Sequence, residues 1–363
     1  MILKKLFVII ALGGLLCPLF VFAQTAQEIF EAKVIKVLEE KQIDRGDGTL
    51  KTQQNLLLIG KEGQWKDKEI KYEGISDLDI AGSNVYKIGD KVLVQKIVAD
   101  AKGDTFLIVD YVRSGKLALL AFLFALAIIL IGGKKGWRAL LGLILSFFII
   151  LEFIIPRIIA GNNPLIISLL GSFMILVAII YLSEGINKKS NLGLLSVFLS
   201  LSATLFLSWL FVYLTRLTGL ANEEAVFLIG MGDNAIDFRG LLLAGMLIGA
   251  VGVLDDVVIG QMEAIKQIKA ANPELNVWQV FKMGYKVGNT HLGAIVNTLF
   301  LTYAGASLPL LMLFTFGQGE GLTFVQAINN EMVATEIVRT LSGSIGIALS
   351  MPIATYLGAK YLE

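Results

Sequence analysis

The sequence predicts an α-helical polytopic membrane protein, with about seven transmembrane helices after a signal peptide and a small exported β-barrel, OB-like, ahead of the helices. Three observations carry this. The 363 residues are 55% hydrophobic and 17% charged, with mean hydropathy +0.73, where soluble chains lie near 45–50% and about 25%. The apolar excess is gathered into runs of about twenty residues, each able to cross a hydrocarbon core of about 30 Å. Residues 24–113 stand apart as a polar stretch with alternating, strand-like patterning. A net charge of +1 lacks the basic excess of nucleic-acid binders, so the expected partner is the lipid bilayer and not nucleic acid. The single cysteine, Cys17, excludes an intrachain disulfide or cysteine-metal site.

Residues 1–23 read as a secretory signal: Lys4-Lys5, an apolar stretch from Leu6 to Phe22, and Val21-Phe22-Ala23 before Gln24. An uncleaved anchor is the alternative, and either way Gln24 onward is exported. The exported domain, 24–113, holds five candidate strands at Ile29–Glu39, Thr52–Ile59, Glu69–Ile75, Lys91–Ile97 and Phe106–Val112. Five short strands in so few residues suggest a closed barrel. Arg45-Gly46-Asp47 spells an adhesion tripeptide, but Asp-Gly in a hairpin turn accounts for it better.

Residues 114–363 form the membrane domain. Its seven expected spans are Leu117–Gly132, Ala139–Ile155, Leu165–Leu182, Leu192–Leu214, Gly240–Leu254, Leu292–Phe316 and Met332–Leu357, with a cytoplasmic amphipathic segment at 255–289. Lys134, Lys135, Arg138, Lys188, Lys189, Lys266, Lys269, Lys282 and Lys286 fall on one side, against Arg157, Arg239 and Arg216 on the other. That asymmetry places the first set and the C-terminus in the cytoplasm, and the β-domain outside.

Chemistry is sought where polar groups meet these apolar runs, because a charged residue in hydrocarbon costs about 2.5–3.5 kcal/mol on insertion scales. Asp255, Asp256 and Glu263 follow the fifth span, with Asp256, Gly260 and Glu263 on one helix face. They form either an ion, proton or substrate site or a solvated helix end. His291, Asn297 and Thr298 open the sixth span, and Gly305, Ser307 and Pro309 interrupt it. Proline removes a backbone donor there, and unwound backbone at membrane depth is tolerated where it lines a cavity. In the seventh span Glu336 and Arg339, three apart, suit a relay or a mutually neutralising pair. Gly245, Gly249 and Gly252 allow close helix approach. Asn276 caps a helix at 276–288 that can lie on the membrane or dock a protein partner, as can the exported domain.

Enzymatic readings fall away. Gly230-Met231-Gly232-Asp233 matches an intramembrane aspartyl-protease motif, but no earlier span supplies the second aspartate. His291 has no nucleophile turn to serve, a lone histidine builds no usual zinc site, and no phosphate-gripping loop is present. No cofactor is expected.

Ser183-Glu184-Gly185-Ile186-Asn187-Lys188-Lys189, Leu254-Asp255-Asp256-Val257, Ala271-Asn272-Pro273-Glu274-Leu275, Asn297-Thr298-Leu299, Tyr303 through Pro309, and Glu336-Ile337-Val338-Arg339-Thr340 together resemble the bacterial YibE/F-like membrane protein family over roughly 115–360. The exported domain fits its YibE-like branch. Family members often read Gly-Arg-Asp where this chain has Gly288-Asn289-Thr290. The resemblance implies multi-span topology and a permease role. Together these observations give a secondary-transporter-like permease for a small solute or ion, its site drawn from the polar residues above. The alternatives are a non-transporting scaffold and the membrane subunit of an ATPase-driven assembly.

Overall fold

Alternating apolar residues in 29–111 do form strands, and the long apolar runs do form helices. The computed structural model describes residues 29–44, 50–75, 84–99, 103–229, 236–316 and 323–362. The signal segment 1–23 with Cys17, Arg45-Gly46-Asp47 and Gly230-Met231-Gly232-Asp233 lie outside the described residues. The chain divides into two units, one within Leu19–Ala127 and one running from Ile128 to Glu363.

In the first unit, strands β1 (Ile29–Asp44), β2 (Leu50–Gly60), β3 (Glu69–Glu73), β4 (Lys91–Ala99) and β5 (Gly103–Tyr111) pair in the order β3-β2-β1-β4-β5, every pair antiparallel. Phe30, Ala32 and Val34 alternate onto one face and meet Leu56, Leu58, Ile70, Val92 and Val94 in a buried core. Trp65 stacks on Phe30 at 5.7 Å and meets Phe106 edge-on at 5.0 Å. The closed barrel expected from strand number does not form. No ladder joins β3 to β5, so the sheet is open. β3 has only 5 residues, so its free edge offers few groups for a closing ladder, and the 16-residue β1 spreads its register over two partners, with two irregularities against β2.

From Ser114 onward the chain is helical. Five stretches among the described residues are long and apolar enough to cross a membrane: Ser114–Ile159, Pro164–Glu184, Lys188–Leu214, Phe238–Ala271 and Glu331–Tyr361. The first two expected spans fall in one helical run, α1 (Ser114–Ile149), interrupted at Gly133, whose φ of 52° glycine tolerates. A π-helical turn, Ile150–Ile154, and α2 (Ile155–Ile159) complete it. Helices α3 (Pro164–Glu184) and α4 (Lys188–Leu214) open on Asn163 and Asn187, whose side chains accept from backbone N–H groups of the first turn. After α5 (Glu223–Phe227), α6 (Phe238–Ala271) continues beyond the expected end at Leu254 and stops at Asn272-Pro273.

The amphipathic segment expected at 255–289 is not a separate element. It is the end of α6 and the start of α7 (Val277–Ala306), which runs through Asn289-Thr290-His291 without a break. A reciprocal capping box of Asn276 and Gln279 fixes the true start of α7. The sixth span does break at Ser307, before α8 (Leu308–Phe316), as Pro309 requires. Short α9 (Phe324–Asn329) and long α10 (Glu331–Tyr361) complete the unit.

Small residues set the packing. Ser196, Ser200, Thr204 and Ser208 recur every fourth residue on α4 and are all buried. The first three donate to carbonyls on their own helix at 2.7–2.9 Å, and Ser208 donates to Ser342 of α10 at 2.9 Å. A Cβ on Gly346 of α10 would stand 1.8 Å from the Thr204 hydroxyl oxygen, so α4 and α10 touch there almost backbone to side chain.

Candidate functional site

The candidate site is the seam where α7 lies on α6 and α10. Every third or fourth residue of each helix faces it. Toward the end of the bundle that carries Lys189, a cavity of about 190 Å³ opens between Asp256, Gly260 and Gln261 of α6, Gly288 and His291 of α7, and Met351 of α10. Asp256, sixteen residues before Asn272, and His291, fourteen residues after Val277, are brought to one space by the antiparallel course of α6 and α7. Gln261 closes its floor, donating to the Gly284 carbonyl and to Thr355 Oγ1, both at 2.8 Å.

Further along the same seam lies a second, smaller space of about 10 Å³, roughly the room one water needs. It is lined by Thr204 and Ser208 of α4, Gly249 of α6, Tyr303 of α7, and Arg339 and Ser342 of α10. Of the three candidate packing glycines only Gly249 meets a close neighbour: its Cβ would stand 3.1 Å from the Tyr303 hydroxyl, while Gly245 and Gly252 face open space. Arg339 pairs with Glu336 at 3.2 Å, each side chain about three-quarters buried at 26% and 22% exposure. Its Nε is buried and finds no hydrogen-bond partner, so the guanidinium keeps an unused donor. Leu299 at 8% and Ile347 at 2% exposure help line this second space, and along α7 and α10 they come between Tyr303 and Gly343 of this space and Ile295 and Met351 of the first.

The remaining expected residues lie elsewhere. Asp255 is next to Asp256 in sequence but turned about 100° from it and outside the cavity lining, at 9% exposure and with Oδ1 unpartnered. Glu263 accepts from Lys189 of α4 at 2.8 Å and from Gln267 at 2.7 Å, away from the cavity. Asn297 and Thr298 lie on the exposed face of α7, where Thr298 donates to the Ala294 carbonyl at 2.9 Å. Gly305 and Pro309 flank the break at Ser307, both exposed, and line neither space. Glu331 caps a turn, accepting from Thr218 Oγ1 at 2.7 Å. No group of His, Cys, Asp and Glu among the described residues could hold a metal ion.

Polar cores of membrane-length helices can arise in unrelated chains, so ancestry has to come from the residues themselves. The sequence model described as YibE/F-like protein matches residues 120–363. The chain belongs to the YibE/F-like family. No curated protein and no solved structure matches it. The YibE/F-like match takes in every helix from α2 onward and therefore the whole seam.

Sequence reasoning missed three parts of this YibE/F-like bundle. Lys189, at 8% exposure, is bonded to both Glu184 and Glu263 and so ties α3, α4 and α6 together. Tyr303 and Gln261 supply polar atoms to the two spaces. The Ser-x-x-x-Ser spacing on α4 was a visible signal for a buried polar stripe, whereas the partners of Lys189 lie on other helices and leave no local trace.

Proposed function

We infer that this YibE/F-like protein is a secondary-transporter-like permease of a bacterial cytoplasmic membrane, moving a small solute or ion along the α6–α7–α10 seam. One observation carries the reading: two spaces, each with polar residues in a largely apolar lining, lie on one helix seam, with the buried Leu299 and Ile347 at the near wall of the second. Alternating access moves a bundle around a site within the membrane so that it opens first to one side and then to the other, and a seam with polar groups along its length gives a solute places to pause on that route. In this reading Asp256 and His291 bind at the Lys189 end, and Tyr303, Glu336 and Arg339 serve the other. The break at Ser307 and the glycines give α7 freedom to shift, and the chemistry is binding and release, with no catalysis. The spans number seven when the two parts of α1 on either side of Gly133 and the α7–α8 pair are counted with the other four. The lysine asymmetry puts the Lys189 end in the cytoplasm.

The test uses thiol accessibility, which needs no known solute. In a Cys17→Ser background, Gly260→Cys and Gly343→Cys place single thiols at the two spaces, where a Cβ meets nothing closer than 3.5 Å. A membrane-impermeant maleimide should label Gly260→Cys from the cytoplasmic face and Gly343→Cys from the outer face. Proteoliposomes given sodium, potassium or a proton gradient then show which flux Asp256→Asn abolishes. Failure of both thiols to react from either face would leave a dry bundle and no route.

A partner-binding role has its own support. Trp278, Phe281 and Tyr285 stack along α7 at 5.1 and 5.8 Å, with Trp278 60% exposed. Such a ridge suits a membrane surface or a docked subunit, including an ATPase. Co-purification of a stoichiometric partner lost in Trp278→Ser would favour it.

A further inference from the structure

We propose that Asp255 is a proton-binding site, held as a neutral carboxyl between α3, α4 and α6 and separate from the solute seam. The argument is geometric. Successive residues of a helix are turned by about 100°, and Asp256, Gly260 and Ala264 face the cavity, so Asp255 points to a different flank of α6. There α6 packs on α3 and α4: Ile259, one turn on, touches the position of Gly193 on α4 at 3.0 Å.

In that interface one carboxyl oxygen of Asp255, Oδ1, meets no donor. The residue is nine-tenths buried, with 9% exposure. The hydroxyls of Ser196 and Ser200 on α4 donate to the carbonyls of Leu192 and Ser196. Its chain neighbour Asp256 is acidic, and so is Glu184 at the end of α3. Of the described cations at this end, Lys189 of α4 is paired with Glu184 and Glu263, and the exposed Lys135 of α1 lies 3.7 Å from Glu184. A carboxylate buried without donor or cation takes up a proton instead. Opening of the α3–α4–α6 interface toward the Lys189 end would let the O–H bond break, the proton passing to water and leaving a solvated carboxylate. Closing reverses the step.

Infrared spectroscopy of the full chain in lipid, in deuterated buffer, reads this directly. At neutral pH the wild-type protein should show the C=O stretch of a protonated carboxyl. Asp255→Asn should remove it and Asp256→Asn should leave it. A band that survives in Asp255→Asn, or that Asp256→Asn removes, overturns the proposal. Should Asp255→Asn fail to fold, Asp255→Glu must keep a protonated-carboxyl band at a shifted position, and its loss at neutral pH is equally fatal. The readout is independent of solute movement: a missing band removes the proton site and leaves the seam, while unreactive thiols remove the seam and leave the proton site.

Discussion

Gly288 offers the sharpest check on how α7 is seated. A Cβ at this position would stand 2.6 Å from Met351 Cγ, 2.8 Å from its sulfur and 2.7 Å from Gln261 Oε1. Met351 is 2% exposed and Gln261 5%, and Gln261 is held by two hydrogen bonds of 2.8 Å. Neither side chain can retreat without losing contacts or those bonds. Gly288→Ala should therefore cost about 1–3 kcal/mol, the range for overpacking a close-fitted interior. At roughly 2–4 °C per kcal/mol for domains of 150–250 residues, the melting temperature in detergent should fall by about 2–12 °C. Gly252→Ala is the control, since a Cβ there meets nothing within 4 Å, and alanine favours a helix by up to about 1 kcal/mol over glycine. It should be neutral or stabilising. Equal melting temperatures for the two variants would refute the close seating of α7 and, with it, the cavity wall that contains Gly288.

Other outcomes follow from single features. Lys189→Met leaves Glu184, at 15% side-chain exposure, without its main cation; removing one partner of a buried pair costs about 3–5 kcal/mol, and the 43% exposure of Glu263 puts the loss at the low end, with part of it restored when Glu184→Gln and Glu263→Gln are added. A double-mutant cycle of Ser208→Ala and Ser342→Ala should give a coupling of about 0.6 kcal/mol, typical of interhelical bonds in lipid. Leu299→Ala should open the barrier between the two spaces, seen as maleimide labelling of Gly343→Cys from the cytoplasmic face. In the sheet, burial first and neighbouring Asp110, Tyr72 and Tyr111 after it push the Tyr86 hydroxyl up to about 12. An unfolded tyrosine ionises near pH 10, so the sheet should keep its full stability below about pH 10 and lose it as pH climbs toward 12; phenolate absorbance that rises before the sheet unfolds would contradict this.

Strands were legible because one buried face imposes strict alternation, as in Phe30, Ala32 and Val34. Barrel closure was not, because whether β3 meets β5 depends on strand length and register, which alternation does not encode. Among the helices, hydropathy found each apolar run, but Asn289-Thr290-His291 imitated a helix start while the working cap sat at Asn276. The candidate site was half visible. Asp256 and His291 could be singled out as polar groups at span ends, and they do share a cavity. That Asn297 would turn outward, and that Lys189 would gather Glu184 and Glu263, depends on how helices rotate against one another.

Asp255 and Asp256 are neighbours on a single rigid rod and face different flanks of it, about 100° apart. Such a rod cannot roll or tilt toward one flank without drawing away from the other. Water admitted to the Asp255 flank must come from a displacement that also reshapes the wall carrying Asp256, so whatever occupies one aspartate is felt mechanically by the next residue along.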